Sequence, residues 1–232
     1  MNSEQAEVLW MQSPNCDVSP MKDELNQHLN YIAAEIQHSI RLLDDEAHCL
    51  LNEFDKVREA FNKVESIAAS FYLQCYLSSF TSSFSELSIS IRHLSERRHG
   101  ALIVIQRNDN LDAFIHSGIS IEGTLSHSLL ESIFYPGNRL HDGAVWIKSD
   151  RIVSAANILP VSALLVEEDT KMGTRHRAAI GLTERTDALV LIVSEETGSA
   201  SFAYMGKLHP LNALGSVVEI AEATQYMNME IM

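Results

Sequence analysis

Basic residues are scarce in this chain: 17 lysines and arginines stand against 31 aspartates and glutamates, a formal net charge of −14 at pH 7. Broad nucleic-acid binding needs a basic face, so this balance argues against it. A small anionic ligand is not disfavoured, because a few local arginines can override the global field. Cysteine is scarcer still. Cys16, Cys49 and Cys75 are odd in number and form no CxxC pair. That argues against a disulfide framework or a zinc site and for idle thiols in a reducing compartment. No apolar run reaches the roughly 18 residues of a membrane span, and the first residues lack a signal-peptide core. The expectation is a cytoplasmic protein that does not enter a membrane. Internal repeats and low-complexity tracts are also absent.

What is present is a globular composition, 46% hydrophobic and 21% charged, in a chain long enough for one domain plus an appendage. Ser19-Pro20 starts a helix, with serine as cap and proline in the first turn. Beyond it Leu25, Leu29, Ile32, Ile36, Ile40 and Leu43 recur at three- and four-residue steps, the stripe of an amphipathic helix. Leu50, Phe54, Val57, Phe61, Val64 and Ile67 form a second stripe. Two stripes with a short link predict an antiparallel αα-hairpin. Two helices bury little alone, so this hairpin needs the core or another subunit to pack on. His28, His38 and His48 are ten residues apart, roughly 80° around a helix, and do not converge on a metal.

Phe71–Phe84 is a connecting segment of partly helical character. Leu87, Ile91 and Leu94 mark a short helix, stopped by the cations Arg97-Arg98-His99 and then Gly100. Ala101–Gln106 is apolar almost throughout and predicts a strand buried on both faces. Thr124–Phe134 predicts a helix capped at Thr124 or Ser126 and ended before Pro136-Gly137. Ala144–Ile147 and Ile152–Leu159, joined by Lys148-Ser149-Asp150-Arg151, predict a β-hairpin. After an acidic loop, Pro160–Met172, come a helix opening at Arg175–Gly181, strands at Ala188–Val193 and Ser199–Tyr204, a turn at Gly206-Lys207 and a helix at Leu211–Tyr226. The predicted class is α/β: a central mixed β-sheet flanked by helices, with an N-terminal α-helical hairpin. Residues 1–68 are the arm and hairpin, with a regulatory or assembly role; residues 69–232 form the main domain, including its connecting segment and C-terminal helix.

The chemistry sits at the two ends of one stretch. His141-Asp142-Gly143-Ala144 opens it and Gly173-Thr174-Arg175-His176-Arg177 closes it. An ionised Asp142 beside Gly143 could hold a divalent cation or take a proton from a hydroxyl, and glycine would let a bulky ligand approach the backbone. A helix start carrying arginines suits phosphate, through bare N–H groups, the helix dipole and forked donors. Acid plus phosphate cradle is what phosphoryl or nucleotidyl transfer requires. Taken singly, an Asp-Gly pair is most often a turn, and two arginines around a histidine are most often solvated or ion-paired. Arg175 and Arg177 are two apart and share a face only at a helix start or in the loop before it. Ser194, His176 and Asp142 could spell a hydrolase on paper, but no GxSxG elbow accompanies them.

Together with Asn157-Ile158-Leu159-Pro160 and Ser194-Glu195-Glu196-Thr197-Gly198, these motifs resemble, in order, those of the diadenylate cyclase domain, over roughly Leu87 to Leu211. The N-terminal helices are similar to those of the sporulation-type members of that family. The resemblance implies synthesis of cyclic di-AMP from two ATP molecules, with Mg²⁺ or Mn²⁺ as cofactor. It puts Asp142 in the catalytic role and Asp142, Glu196 and His141 at the metal. Gly143 and Ala144 lie against the nucleotide, Leu159 contacts adenine through its backbone, and Gly173, Thr174, Arg175, His176 and Arg177 meet the phosphates. Ser194 and Glu195 line the same pocket. Some relatives carry an aromatic residue where Ile158 stands, so apolar packing replaces stacking there. One nucleotide per subunit implies a homo-oligomer, a face-to-face dimer at the least and up to a hexamer, whose N-terminal helices restrain activity. The competing reading is a catalytically weak or silent nucleotide-binding sensor.

Overall fold

The computed structural model describes residues 19–44, 50–162 and 172–211. The chain divides between Cys75 and Tyr76 into two compact units. In the first, helix α1 runs over Ser19–Arg41, a 3-10 turn covers Leu42–Asp44, and helix α2 covers Leu51–Leu77. The helical pair follows the two stripes, but α2 continues well past residue 68 as one unbroken helix. Met21, Ile32, Val64 and Ile67 are buried, whereas Leu29, Ile36, Ile40, Leu43, Phe54 and Phe61 stand exposed. An apolar groove of 150 Å³ lies between the helices near their connection, lined by Ile36, Ile40, Leu43, Leu50, Phe54 and Val57. Cys75 is disulfide-bonded, where an idle thiol was expected.

The second unit is a seven-stranded sheet with helices on its faces. Its elements are α3 (Phe84–Glu96), β1 (Ala101–Gln106), β2 (Ile119–Thr124), α4 (His127–Ile133), β3 (Ala144–Lys148), β4 (Arg151–Asn157), α5 (Thr174–Thr183), β5 (Leu189–Val193), β6 (Ala200–Tyr204) and β7 (Lys207–Leu211). The strand order is β2-β4-β3-β1-β5-β6-β7. β1 pairs parallel with β3, and every other pair is antiparallel. The sheet is therefore mixed, with the two most apolar strands, β1 and β5, side by side and buried along their whole length.

Side chains alternate across a strand, so each strand serves two cores. Leu102 and Val104 join Ala144, Leu159, Ala179, Leu182, Val190 and Ile192 in one buried cluster beneath α5. Ile103 and Ile105, on the opposite face, are also fully buried. α3 packs on α4 and on β5. Ser126 caps α4 by accepting a hydrogen bond from the Leu129 N–H at 3.3 Å, as one of the two expected caps.

Two strands were not expected. β2 is mostly exposed and β7 contains Pro210; each is an edge strand, where a clean apolar alternation is not needed and proline is tolerated. The helix expected at Leu211–Tyr226 and most of the acidic loop Pro160–Met172 lie outside the described residues.

Helix α3 ends otherwise than its Gly100 suggested. The left-handed residue is Arg98, at φ 53°. His99 N–H bonds to Leu94 C=O at 2.8 Å and Arg98 N–H to Ser95 C=O at 3.1 Å, the paired bonds of a Schellman stop. Gly100 is thereby left for another purpose.

The segment entering α3 is clamped to the β3–β4 turn. Asp150 accepts hydrogen bonds from Thr81 Oγ1 at 2.6 Å, Ser82 N at 2.9 Å, Ser82 Oγ at 2.8 Å and Ser83 N at 3.1 Å. The Thr81 hydroxyl first, with Ser82 and Ser83 behind it, holds the carboxyl down to about 2, against the opposing pull of burial. One residue earlier, Phe80 receives the Arg107 guanidinium over its ring at 4.7 Å, and Tyr204 lies on the same cation at 5.1 Å. A carboxylate whose folded pKa is depressed stabilises the fold above its unfolded pKa and loses that contribution as pH falls through its folded value. Asp150→Asn should therefore cost on the order of 2 kcal/mol at pH 7 and little near pH 2; urea melts at the two pH values check this, and equal losses at both would contradict it.

Candidate functional site

The first motif is built by a close approach of two backbones. Gly143 takes φ +118°, and a Cβ there would lie 2.8 Å from both Ala156 C and Asn157 O. The glycine thus makes room for β4 of its own chain rather than for a ligand. Facing it, Ala156 sits at φ 54° where the β3–β4 register shifts between Ala144 and Trp146. A bulge of this kind re-aims the residues beside it. Buried Asn157 completes the junction: its Nδ2 donates to Ala144 O at 2.8 Å and its Oδ1 accepts from Ser154 Oγ at 3.0 Å. Sequence reading assigned Asn157 no role; its place at the end of an apolar strand was the available signal. Asp142, next along, is exposed. His141 Nδ1 meets the Asn138 carbonyl, which can only accept, so Nδ1 is the donor.

Leu159 is buried and Ile158 is 64% exposed, while backbone bonds join Ile158 to His116 in both directions. From there the chain crosses α5. A Cβ on Gly181 would fall 2.4 Å from Pro160 O and from Ser162 N, and Ser162 N–H bonds to Arg177 O at 3.2 Å. That crossing carries Leu159 into the cluster containing Ala179 and Ala144, so three motifs share one core.

The cation-bearing helix opens into a cleft of 890 Å³. It is lined by Gly173, Thr174, Arg175 and His176 from the start of α5 and by Ser194, Glu195, Glu196 and Thr197 from the turn after β5. The turn is self-supporting: Gly198 N–H bonds to Ser194 O and Ser194 N–H to Ser199 O, both at 2.9 Å, and Ser95 Oγ donates to Gly198 O at 2.5 Å. Arg175 Nη1 donates to Glu195 Oε2 at 2.9 Å. Burial first, and then the neighbouring Arg175 charge, lowers the pKa of His176, so it is a neutral imidazole at pH 7. The cleft does not gather every expected residue. Arg177 lies outside its lining, two residues round the helix, with its Nε buried and unpartnered; Asp142 and His141 also lie outside it. Among the described residues no three His, Cys, Asp or Glu side chains come together as metal ligands.

Chemically, the cleft offers an anion site: an open helix start, an arginine and a neutral imidazole, edged by carboxylates. Asp142 and Glu196 supply hard oxygen donors. Oxygen donors of this kind suit a hard divalent cation, which binds through one or two carboxylates and completes its shell with phosphate oxygens and water.

Residues 88–208 match the family model described as "DisA bacterial checkpoint controller nucleotide-binding", and residues 12–80 match "Diadenylate cyclase CdaS, N-terminal". The chain belongs to the diadenylate cyclase family. It is 47% identical over 192 residues to the diadenylate cyclase CdaS of Bacillus thuringiensis, covering 83% of this chain and 95% of the relative. It is 48% identical over 190 residues to the cyclic di-AMP synthase CdaS of Bacillus subtilis, covering 82% and 91%. A crystal structure of a hypothetical membrane spanning protein from Bacillus cereus superposes with a TM-score of 0.72 at 43% identity, over 91% of this chain and 100% of that one. Among the described residues of this chain, no helix is long and apolar enough to cross a membrane.

Gly143→Ala tests the junction on which the first motif depends. The added Cβ meets backbone on a strained φ, and the expected cost is about 3 kcal/mol. A chemical melt with the midpoint unchanged from wild type would show that the two backbones do not meet there.

Proposed function

We propose that this chain condenses two ATP molecules into cyclic di-AMP with release of two pyrophosphates. The observation that carries the reading is the cleft joining the start of α5 to the Ser194–Thr197 turn, in a chain of this family. Each 3′-hydroxyl attacks the other nucleotide's α-phosphorus; a phosphorus–oxygen bond forms to the hydroxyl, and the bond to pyrophosphate breaks. One cleft per chain holds one nucleotide, so the reaction closes only when two chains face each other.

Within that scheme the phosphates lie on the free N–H groups at the start of α5 and on Arg175, with neutral His176 as a hydrogen-bonding partner. Exposed Ile158 forms an apolar surface for adenine, and Leu159, its side chain in the core, meets the base through its backbone, with the Gly143-Ala144 backbone at the near edge. Asp142, Glu196 and His141 would hold the divalent cation, Mg²⁺ or Mn²⁺, once two chains face each other, since among the described residues they form no cluster within one chain. When bound, that cation neutralises phosphate charge and acidifies the attacking hydroxyl. Asp142 stands outside the cleft of its own chain, exposed at the end of β3; from there it accepts the hydroxyl proton as the facing nucleotide approaches. Arg177 supports this machinery from the side, with its carbonyl holding Ser162.

The boundary between the regulatory and the cyclase parts, expected at residue 68, falls where the chain divides, between Cys75 and Tyr76 in the last turn of α2, and the sporulation-type assignment rests on the match of residues 12–80. The protein acts in the cytoplasm as a homo-oligomer, at least a dimer and up to a hexamer, without membrane or nucleic-acid partners. Exposed Ile36, Ile40, Leu43, Phe54 and Phe61 on α1 and α2 need cover from water, and packing against other copies provides it. In that assembly the helices restrain how cyclase units face one another.

The alternative, a silent nucleotide-binding sensor, predicts binding without turnover. Incubation with ATP and Mn²⁺ separates the two, because only the cyclase yields pyrophosphate and a cyclic dinucleotide. Asp142→Asn should lower turnover by at least about a hundredfold with ATP affinity little changed, whereas Arg175→Ala should weaken ATP binding by about tenfold. Undiminished turnover in Asp142→Asn refutes its role.

The assembly is tested by a point change, since α2 runs unbroken to Leu77 and a cut at residue 68 would fall inside it. Ile36 is 45% exposed, so Ile36→Asp should leave the helices folded. Light scattering should show a smaller particle, and specific activity should rise. A variant of unchanged size and activity rules out the restraint.

A further inference from the structure

Gly100 has no backbone reason to be glycine. It lies past the end of α3, the left-handed position there is taken by Arg98, and its own φ is not in the left-handed range. Yet it is buried, and a Cβ placed on it would lie 2.5 Å from Arg175 Nη1, 2.7 Å from Cζ and 3.0 Å from Nη2. All three nearest atoms belong to one guanidinium. The missing side chain is the niche into which the head of Arg175 fits.

The same guanidinium lines the cleft. There Nη1 donates to Glu195 Oε2, and the Arg175 side chain is 24% exposed while that of Glu195 is 64% exposed. The arginine is seated and the carboxylate is not. An ion pair so open to water is worth little and exchanges readily for another oxyanion, and a guanidinium keeps further donors for it.

From this we propose that Gly100 is a positioning residue: it seats the Arg175 guanidinium at the phosphate end of the cleft, and Glu195 occupies the cation until a nucleotide phosphate replaces it. This rests on the reading of Arg175 as a phosphate ligand. The niche also has a chain-level origin. The Schellman stop of α3 delivers Gly100 directly into β1, and Ser95 and the Gly198 turn bind the same helix end. One helix terminus therefore fixes both the floor under Arg175 and the turn that carries Glu195.

The test is a double-mutant cycle read by calorimetric titration of the full-length protein with ATP in the absence of divalent cation. Gly100→Ala should weaken ATP binding by about tenfold, because a displaced guanidinium loses its phosphate geometry. In an Arg175→Ala background the same substitution should change nothing, since its target is gone. Equal weakening by Gly100→Ala in both backgrounds, or none in either, overturns the proposal. Thermal melts supply a second arm. Where Gly100→Ala lowers the melting temperature, Gly100→Ala/Arg175→Ala should return it to the Arg175→Ala value; a double variant as unstable as Gly100→Ala shows the clash to lie elsewhere and also overturns it. The parent reading fails separately: Arg175→Ala alone binding ATP like wild type means that Arg175 does not hold phosphate, whatever Gly100 does.

Discussion

The meeting of two backbones at Gly143 and Ala156–Asn157 is the constraint on which the rest of this site depends. β3 and β4 pair from Lys148 and Arg151, and their register shifts twice on the way to that point, between Ile147 and Trp146 and again between Trp146 and Ala144. The bulge could have left a carbonyl stranded inside the protein. Instead Asn157 turns its amide onto Ala144 O, so the distortion costs no buried unpaired group at that carbonyl. With the strand held this way, Asp142 is presented at its exposed end, and Leu159 is directed into the core under α5. The acidic motif and the nucleotide-facing segment after β4 are thus two sides of one joint.

Electrostatics are arranged locally against a contrary whole. A chain with formal charge −14 repels a polyphosphate at long range, and within about a Debye length the local groups decide. At the cleft those groups are the open start of α5 and Arg175, with Glu195 as the resident anion. His176 adds no charge at pH 7 because burial and Arg175 both disfavour its protonation. The site thus avoids stacking two full cations against each other, and keeps a neutral donor where a second positive charge would be costly to bury.

The apolar surface of the first unit carries a different message. Its stripes were readable from three- and four-residue steps, and the helices formed as the steps required. Burial did not follow for Leu29, Ile36, Ile40, Phe54 or Phe61, which remain in water in a single chain. Periodicity reports which face wants cover; it does not report whether that cover comes from the same chain.

By itself the amino-acid sequence determined the central strands, the hairpin, the helix capped by Ser126 and the four motifs in order. Local chemistry suffices for these: an apolar run of strand length, a short polar link, a serine before a helix. β2 and β7 escaped it because edge strands face water and need no apolar signature, and Pro210 argued against the strand it occupies. Only the tertiary structure decided that Gly143 serves a neighbouring strand, that Arg175 and Arg177 part company around α5, and that Gly100 seats a guanidinium 75 positions along the chain. Such facts depend on which backbone passes within about 3 Å of which, a consequence of packing density. That distance is set by elements far apart in sequence, so no window of residues contains it.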